Sequence, residues 1–217
     1  MHLNESAEEM GRHGLVDRNV VEFPRGDDLR LENAIESFDA GDSSPALFRE
    51  FIDLIDKGLK EANYFVGCMY EDGTNGAVKN LAHAFHYYQK SVEGFGYLEG
   101  YLAQARLLYH GNGTTQDYER AFQYYRHVAE QREHPVALFM LGRMFQHGTG
   151  VKKDIQEARV WYGRAIATGS VYGMINLAML EYEEGHPLKS FFLRIKAGIS
   201  AFLLARRNPR DVRLRGG

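Results

Sequence analysis

Across residues 136–146 the apolar side chains Ala137, Leu141, Met144 and Phe145 follow at steps of four, three and one, which places them on one face of a helix. Gly148-Thr149-Gly150 comes next, and glycine tolerates the left-handed conformation on which helices end. Asp154 then stands at an N-cap position, where its carboxylate accepts orphan backbone N–H groups. The stretch that follows carries Ala158, Trp161, Tyr162 and Ala165 on one face, and Gly169 closes it. The pattern predicts two short helices joined by a glycine loop.

The same pattern recurs. Residues 105–113 align with 142–150 at an offset of 37. That offset continues without a gap, taking Asp117 to Asp154, Ala121 to Ala158, Tyr124 to Trp161 and Tyr125 to Tyr162. An earlier copy places Gly67, Gly73, Gly76, Asn80, Ala84, Tyr87 and Tyr88 in matching positions, with one extra residue in its loop. A degraded copy follows, in which Gly173, Leu177, Ala178 and Leu180 match Ala137, Leu141, Gly142 and Met144 at an offset of 36. Upstream, Leu47, Phe51 and Leu54 match Ala158, Tyr162 and Ala165 three periods earlier. Clear units cover about 60–96, 97–133 and 134–169. Small residues such as Ala121, Gly142 and Ala158 permit close helix approach, and the aromatics fill the grooves beside them. A hairpin this short cannot bury its apolar face alone, so the units are expected to stack. The chain reads as all-α, with one repeat domain over 29–207.

The ends differ in sign. Residues 1–45 hold eleven acids against four bases, and residues 189–217 hold eight bases against one acid. Oppositely charged ends leave self-association open, though solvated termini are the simpler reading. Residues 1–28 are sparse in apolar side chains and are expected to be flexible, as is the basic tail 208–217. A last helix over 189–207 carries Phe191, Phe192, Ile195, Ile199, Phe202 and Leu203 on one face and Lys189, Arg194, Lys196 and Arg206 on the other. It is expected to cap the final repeat with its apolar face and to show its charged face to water. Partner docking and membrane-surface attachment are the rival readings. Ser44-Pro45 is a second helix-start signal.

The run Leu141-Gly142-x-Met144-Phe145-x-x-Gly148-x-Gly150-Val151-x-x-Asp154-x-x-x-Ala158-x-x-Trp161-Tyr162-x-x-Ala165-x-x-Gly169 resembles the Sel-one-like repeat family, a relative of tetratricopeptide repeats with a longer unit. The resemblance covers roughly residues 60–180. It implies a right-handed α/α superhelix, a solenoid of helix–turn–helix repeats with terminal capping helices, a concave inner surface and an adaptor or scaffold role. Many secreted members carry cysteine pairs that staple each repeat, whereas Cys68 stands alone here.

A lone thiol forms no internal disulfide. Residues 1–20 carry four acids and no apolar run, so no secretory signal is expected, and the apolar stretch 195–204 is too short to span a bilayer. Cytoplasmic residence is the expectation. Candidate chemistry is sparse. His83 and His86 lie three apart without a Cys or acidic ligand nearby, and read as a surface pair rather than a metal site. His110 and His147 recur before the glycine loop, where a histidine interacts favourably with a helix C-terminus. Cys68 aligns with Arg106 and Arg143 at a position expected to be partly exposed, with an inert thiol. No cofactor or metal is expected, and no catalysis. The expected partner is another protein or peptide, held in the concave groove by exposed residues of the first helices: Tyr64, Met69, Tyr101, Arg106, Phe139, Arg143 and Gln146. Arg106 and Arg143 would form a basic row. The alternative is a nucleic-acid-associated factor using the basic tail, which the acidic remainder argues against.

Overall fold

A computed structural model describes residues 25–93, 96–208, 211 and 213. Among them are ten helices and no strand: α1 (Arg25–Asp39), α2 (Pro45–Asp56), α3 (Ala62–Asp72), α4 (Leu81–Val92), α5 (Leu98–His110), α6 (Tyr118–Gln131), α7 (Pro135–His147), α8 (Ile155–Ala167), α9 (Val171–Glu183) and α10 (Pro187–Arg207). They pack as consecutive pairs, each against the next in chain order, which makes a solenoid of five hairpins. The expected flexible segment lies outside the described residues up to residue 24, and helix already begins at Arg25. Most of the basic tail also lies outside them.

Each central hairpin is built by the same local devices. Asn80, Asp117 and Asp154 cap α4, α6 and α8, their side-chain oxygens accepting from backbone N–H groups at 2.9–3.1 Å. Their own N–H groups donate back to Tyr70, Leu108 and Phe145 at 2.8, 3.0 and 2.9 Å, which clasps the loop against the preceding helix. The first loop glycine, Gly111 or Gly148, ends its helix in the left-handed region at φ 69° or 70°. The second makes the contact between repeats. A Cβ on Gly150 would lie 2.2 Å from the Tyr118 carbonyl oxygen, and one on Gly113 2.3 Å from that of Leu81. Each loop therefore rests on the backbone that opens the second helix of the preceding hairpin.

Within a hairpin, a small residue on the first helix faces a buried tyrosine on the second. A Cβ on Gly67 would sit 2.6 Å from the Tyr88 ring, and one on Gly142 2.5 Å from the Tyr162 ring. Tyr88, Tyr125 and Tyr162 are all at most 1% exposed. Ion pairs between hairpins add to this packing, Glu71 to Arg106 at 2.6 Å and Glu133 to Arg164 at 3.1 Å, and Glu99 to Arg132 at 2.7 Å ties the two ends of the α5–α6 hairpin. At the C-terminal end, buried Glu181 takes Arg159 from α8 and Lys189 from α10. At the other end Arg30 of α1 reaches Glu50 and Asp53 of α2.

The two end helices differ. α1 keeps one large apolar side chain, Leu29, exposed. α10 packs on α9 as the last helix, but by the opposite face from the one expected. Ser190 and Ala197 are buried against α9, with Ala201 and Leu204 partly so. Phe191, Phe192, Ile195, Ile199, Phe202 and Leu203 point outward and are 44–67% exposed, with Leu188 at 74%. The physical reason is fit. Val171, Met174 and Ala178 of α9 already occupy the seam, so α10 approaches closely only with its small side chains inward. No helix among the described residues is long and apolar enough to cross a membrane.

Candidate partner-binding groove

The first helices α3, α5 and α7 line up side by side, and a groove of about 960 Å³ runs along their shared face. Its wall is formed by Tyr64, Cys68, Glu71 and Asp72 from α3, Glu99, Leu102, Ala103 and Arg106 from α5, and Val136 from α7. Tyr88, Tyr125, Arg132 and His134 complete it.

An ion pair spans the groove. Arg106 grips Glu71 with both terminal nitrogens at 2.6 Å, and Tyr88 donates its hydroxyl to the same carboxylate at 2.7 Å. Burial opposes ionisation of Glu71. The bonds from Arg106 and Tyr88 outweigh it, so the carboxyl titrates below its ordinary range. Burial likewise opposes the charge on Arg106, and Glu71 more than restores it. The side chains of Glu71 and Arg106 are 17% and 36% exposed, so solvent screens the pair only in part. A carboxyl depressed in the folded state contributes stability that is present above its unfolded value and is lost as pH falls through the folded one. The urea midpoint is therefore expected to drop as pH falls below 4.5, and less steeply in Glu71→Gln. Urea titrations of both proteins from neutrality to about pH 3 check this, and identical acid limbs would contradict it.

The buried tyrosines of the three second helices are not equivalent, and of them Tyr88 and Tyr125 line the groove. Tyr88 has Glu71 as acceptor, and Tyr162 donates to Gln146 Oε1 at 2.6 Å. Glu71 and Gln146 hold one repeat position, and the residue matching them in the middle repeat is Tyr109. The hydroxyl of Tyr125 is buried and has no protein partner. His134 Nδ1, beside the same groove, has none either. Both atoms are buried, so the middle of the groove presents mainly the apolar Leu102, Ala103 and Val136.

Of the residues expected to bind a partner, Tyr64 and Arg106 line this groove. Tyr64 packs between Tyr88 and Tyr97 with its ring tilted to both, at centroid distances of 5.7 and 5.3 Å. Arg143 lies outside that lining and rests over the Tyr109 ring at 5.8 Å. The basic row is not bare, because Glu71 neutralises Arg106. Met69 and Phe139 are not exposed: Met69 is 0% and Phe139 2% accessible. Met69 aligns with Leu107 and Met144, which are core in every repeat, and Phe139 is covered by Tyr162 and by Tyr172 of the next hairpin. Gln146 is buried too, as the acceptor for Tyr162. Tyr101 packs on Tyr124 and His127 of its own hairpin, away from the groove. Leu102, which aligns with the chosen Tyr64, was legible from the repeat register and is the residue that register points to.

Burial pushes the Cys68 thiol up to about 11, although Tyr88 and Tyr64 hydrogen-bond to it, so it stays protonated at neutral pH. His83 packs edge-on against Tyr70, and His86 against Tyr87. Burial and the nearby Arg106 and Arg143 lower the His110 pKa, so it favours the neutral ring. A favourable charge–dipole role at the end of α5 is not served. Among the described residues, no three His, Cys, Asp or Glu side chains group as metal ligands would.

This geometry defines an α/α repeat protein with an open inner groove. A family model for the Sel1 repeat matches residues 60–94, 101–131 and 135–170, in register with hairpins α3–α4, α5–α6 and α7–α8. The chain belongs to the Sel1-repeat family. Its fold is similar to that of a Sel1 repeat protein from Oxalobacter formigenes, with a TM-score of 0.70 and 23% identity over 83% of this chain and 76% of that one. It is also similar to c5321, a protective antigen present in uropathogenic Escherichia coli strains that displays an SLR fold. There the TM-score is 0.69 and the identity 20%, over 88% of this chain and 43% of that one. The chain thus spans less than half the length of c5321. No curated protein matches the sequence. Sel1-repeat proteins generally act as protein-interaction scaffolds and are typically non-catalytic.

Proposed function

We propose that this chain is a non-catalytic adaptor that holds a peptide segment of a partner protein in the groove between α3, α5 and α7. The observation that carries the reading is the groove itself, which sets the apolar Leu102 and Val136 beside Tyr64 and the Arg106–Glu71 pair. A peptide backbone supplies donors and acceptors at short intervals, and its apolar side chains suit Leu102 and Val136. The neutralised Arg106 favours a mixed or uncharged segment over a polyanion. The groove belongs to the repeat domain, which we place at 29–207 with α1 beginning slightly earlier.

Affinity capture from the source cell tests this, using the wild type, Leu102→Arg with Val136→Glu in the groove, and Val160→Arg on the outer face, where Val160 is 57% exposed. The groove variant is expected to lose the captured protein and the outer variant to keep it. Equal capture by all three proteins would refute the groove as the binding surface.

A further inference from the structure

We propose that the outward face of α10 attaches the protein to an anionic lipid surface. Among the described residues fifteen large apolar side chains are notably exposed, and eleven of them lie on α9 and α10. A stripe of this extent, left uncovered at one end of a solenoid, marks an interaction surface rather than scattered surface apolarity. On α10 the stripe is centred opposite Ala197, which is buried against α9. The face therefore points directly away from the hairpins and is free to lie on a plane. With 21 residues the helix presents it over about 30 Å.

Charge selects the occupant. α10 contains Lys189, Arg194, Lys196, Arg206 and Arg207 and no acid. The chain as a whole is net −3, so the remainder is the acidic part. On a helical wheel Lys196 and Arg207 flank the apolar stripe on one side and Arg194 on the other, while Lys189 is engaged by Glu181. Flanking bases of this kind keep their heads among lipid phosphates while Phe, Leu and Ile enter the acyl boundary. A second copy docked on the same face would bring ten bases and no acid to one seam. The other end of the solenoid presents α1, which is acidic but keeps one large apolar side chain exposed, and so does not match the stripe. An anionic bilayer supplies both the counter-charge and the apolar phase, at about 1 kcal/mol per basic residue near the surface.

The full chain is to be floated with vesicles of phosphatidylcholine containing about 30% phosphatidylserine, and with phosphatidylcholine alone. Binding is expected to be at least about tenfold stronger on the anionic vesicles and to weaken with added salt. Phe192→Glu with Ile199→Glu should abolish it with no loss of melting temperature, since both residues are exposed. Lys196→Glu with Arg207→Glu, both exposed, should erase the preference for anionic lipid. Sedimentation velocity of the vesicle-free protein reads the rival occupant. A dimer that the Phe192/Ile199 variant dissociates, with no vesicle binding by the wild type, would overturn the proposal in favour of a second copy. A monomer that binds neither vesicle would also overturn it.

Discussion

Gly150→Ala is expected to lower stability by about 2–5 kcal/mol, a fall in Tm of roughly 5–15 °C. Two costs combine. Gly150 sits at φ 71°, where an alanine is strained by about 1–2 kcal/mol. The new Cβ would also lie 2.2 Å from the Tyr118 carbonyl oxygen and 2.5 Å from its carbonyl carbon. Backbone that opens α6 cannot rotate aside as a side chain does, so hairpins α5–α6 and α7–α8 must separate to admit the methyl group. Gly185 supplies the control. It has φ 85° but nothing within 4 Å of a built Cβ. Gly185→Ala should therefore cost only the conformational part, about 1–2 kcal/mol. Thermal melts of the two variants side by side isolate the contact between repeats. Equal losses would show that the loop does not press on its neighbour.

Gln104→Leu is expected to act in the other direction, raising stability by about 1–3 kcal/mol and Tm by a few degrees. Gln104 is 0% exposed, and neither its amide nitrogen nor its amide oxygen has a protein partner. A buried amide without partners costs about 1–3 kcal/mol. The same position in the flanking repeats is held by Val66 and Leu141, both fully buried, so the environment already accepts an aliphatic side chain. Leucine is close to glutamine in reach, which avoids the overpacking penalty of a larger residue. An unchanged or lowered melting temperature would mean that the amide is satisfied within the core, and that the position is not equivalent to its repeats.

These two residues mark the limit of what alignment of the chain with itself can find. Gly150 was legible as a loop glycine, because helix ends and glycine conformations are decided within a few residues. Its contact with Tyr118 was not, since that depends on how residues 32 apart, in successive hairpins, come together. The groove was legible as a concave surface lined by first helices. Its occupants were only half legible. Tyr64 and Arg106 are there, whereas Met69, Phe139 and Gln146 are covered by their neighbours. The pairing of Glu71 with Arg106, across 35 residues, left no local mark.

The sequence by itself determined the helices, their caps, their glycine loops and the register of the repeat, because hydrogen-bond capping, backbone permissiveness and a 3.6-residue period act locally. Where a helix is apolar on more than one face, only the tertiary structure decided which face is covered. α10 shows why. Both of its faces are apolar, one small and one large, so hydrophobicity alone does not choose between them. The close approach of α9 admits Ser190 and Ala197 and turns the phenylalanines outward, because steric fit at the seam outweighs the gain from burying the larger side chains there.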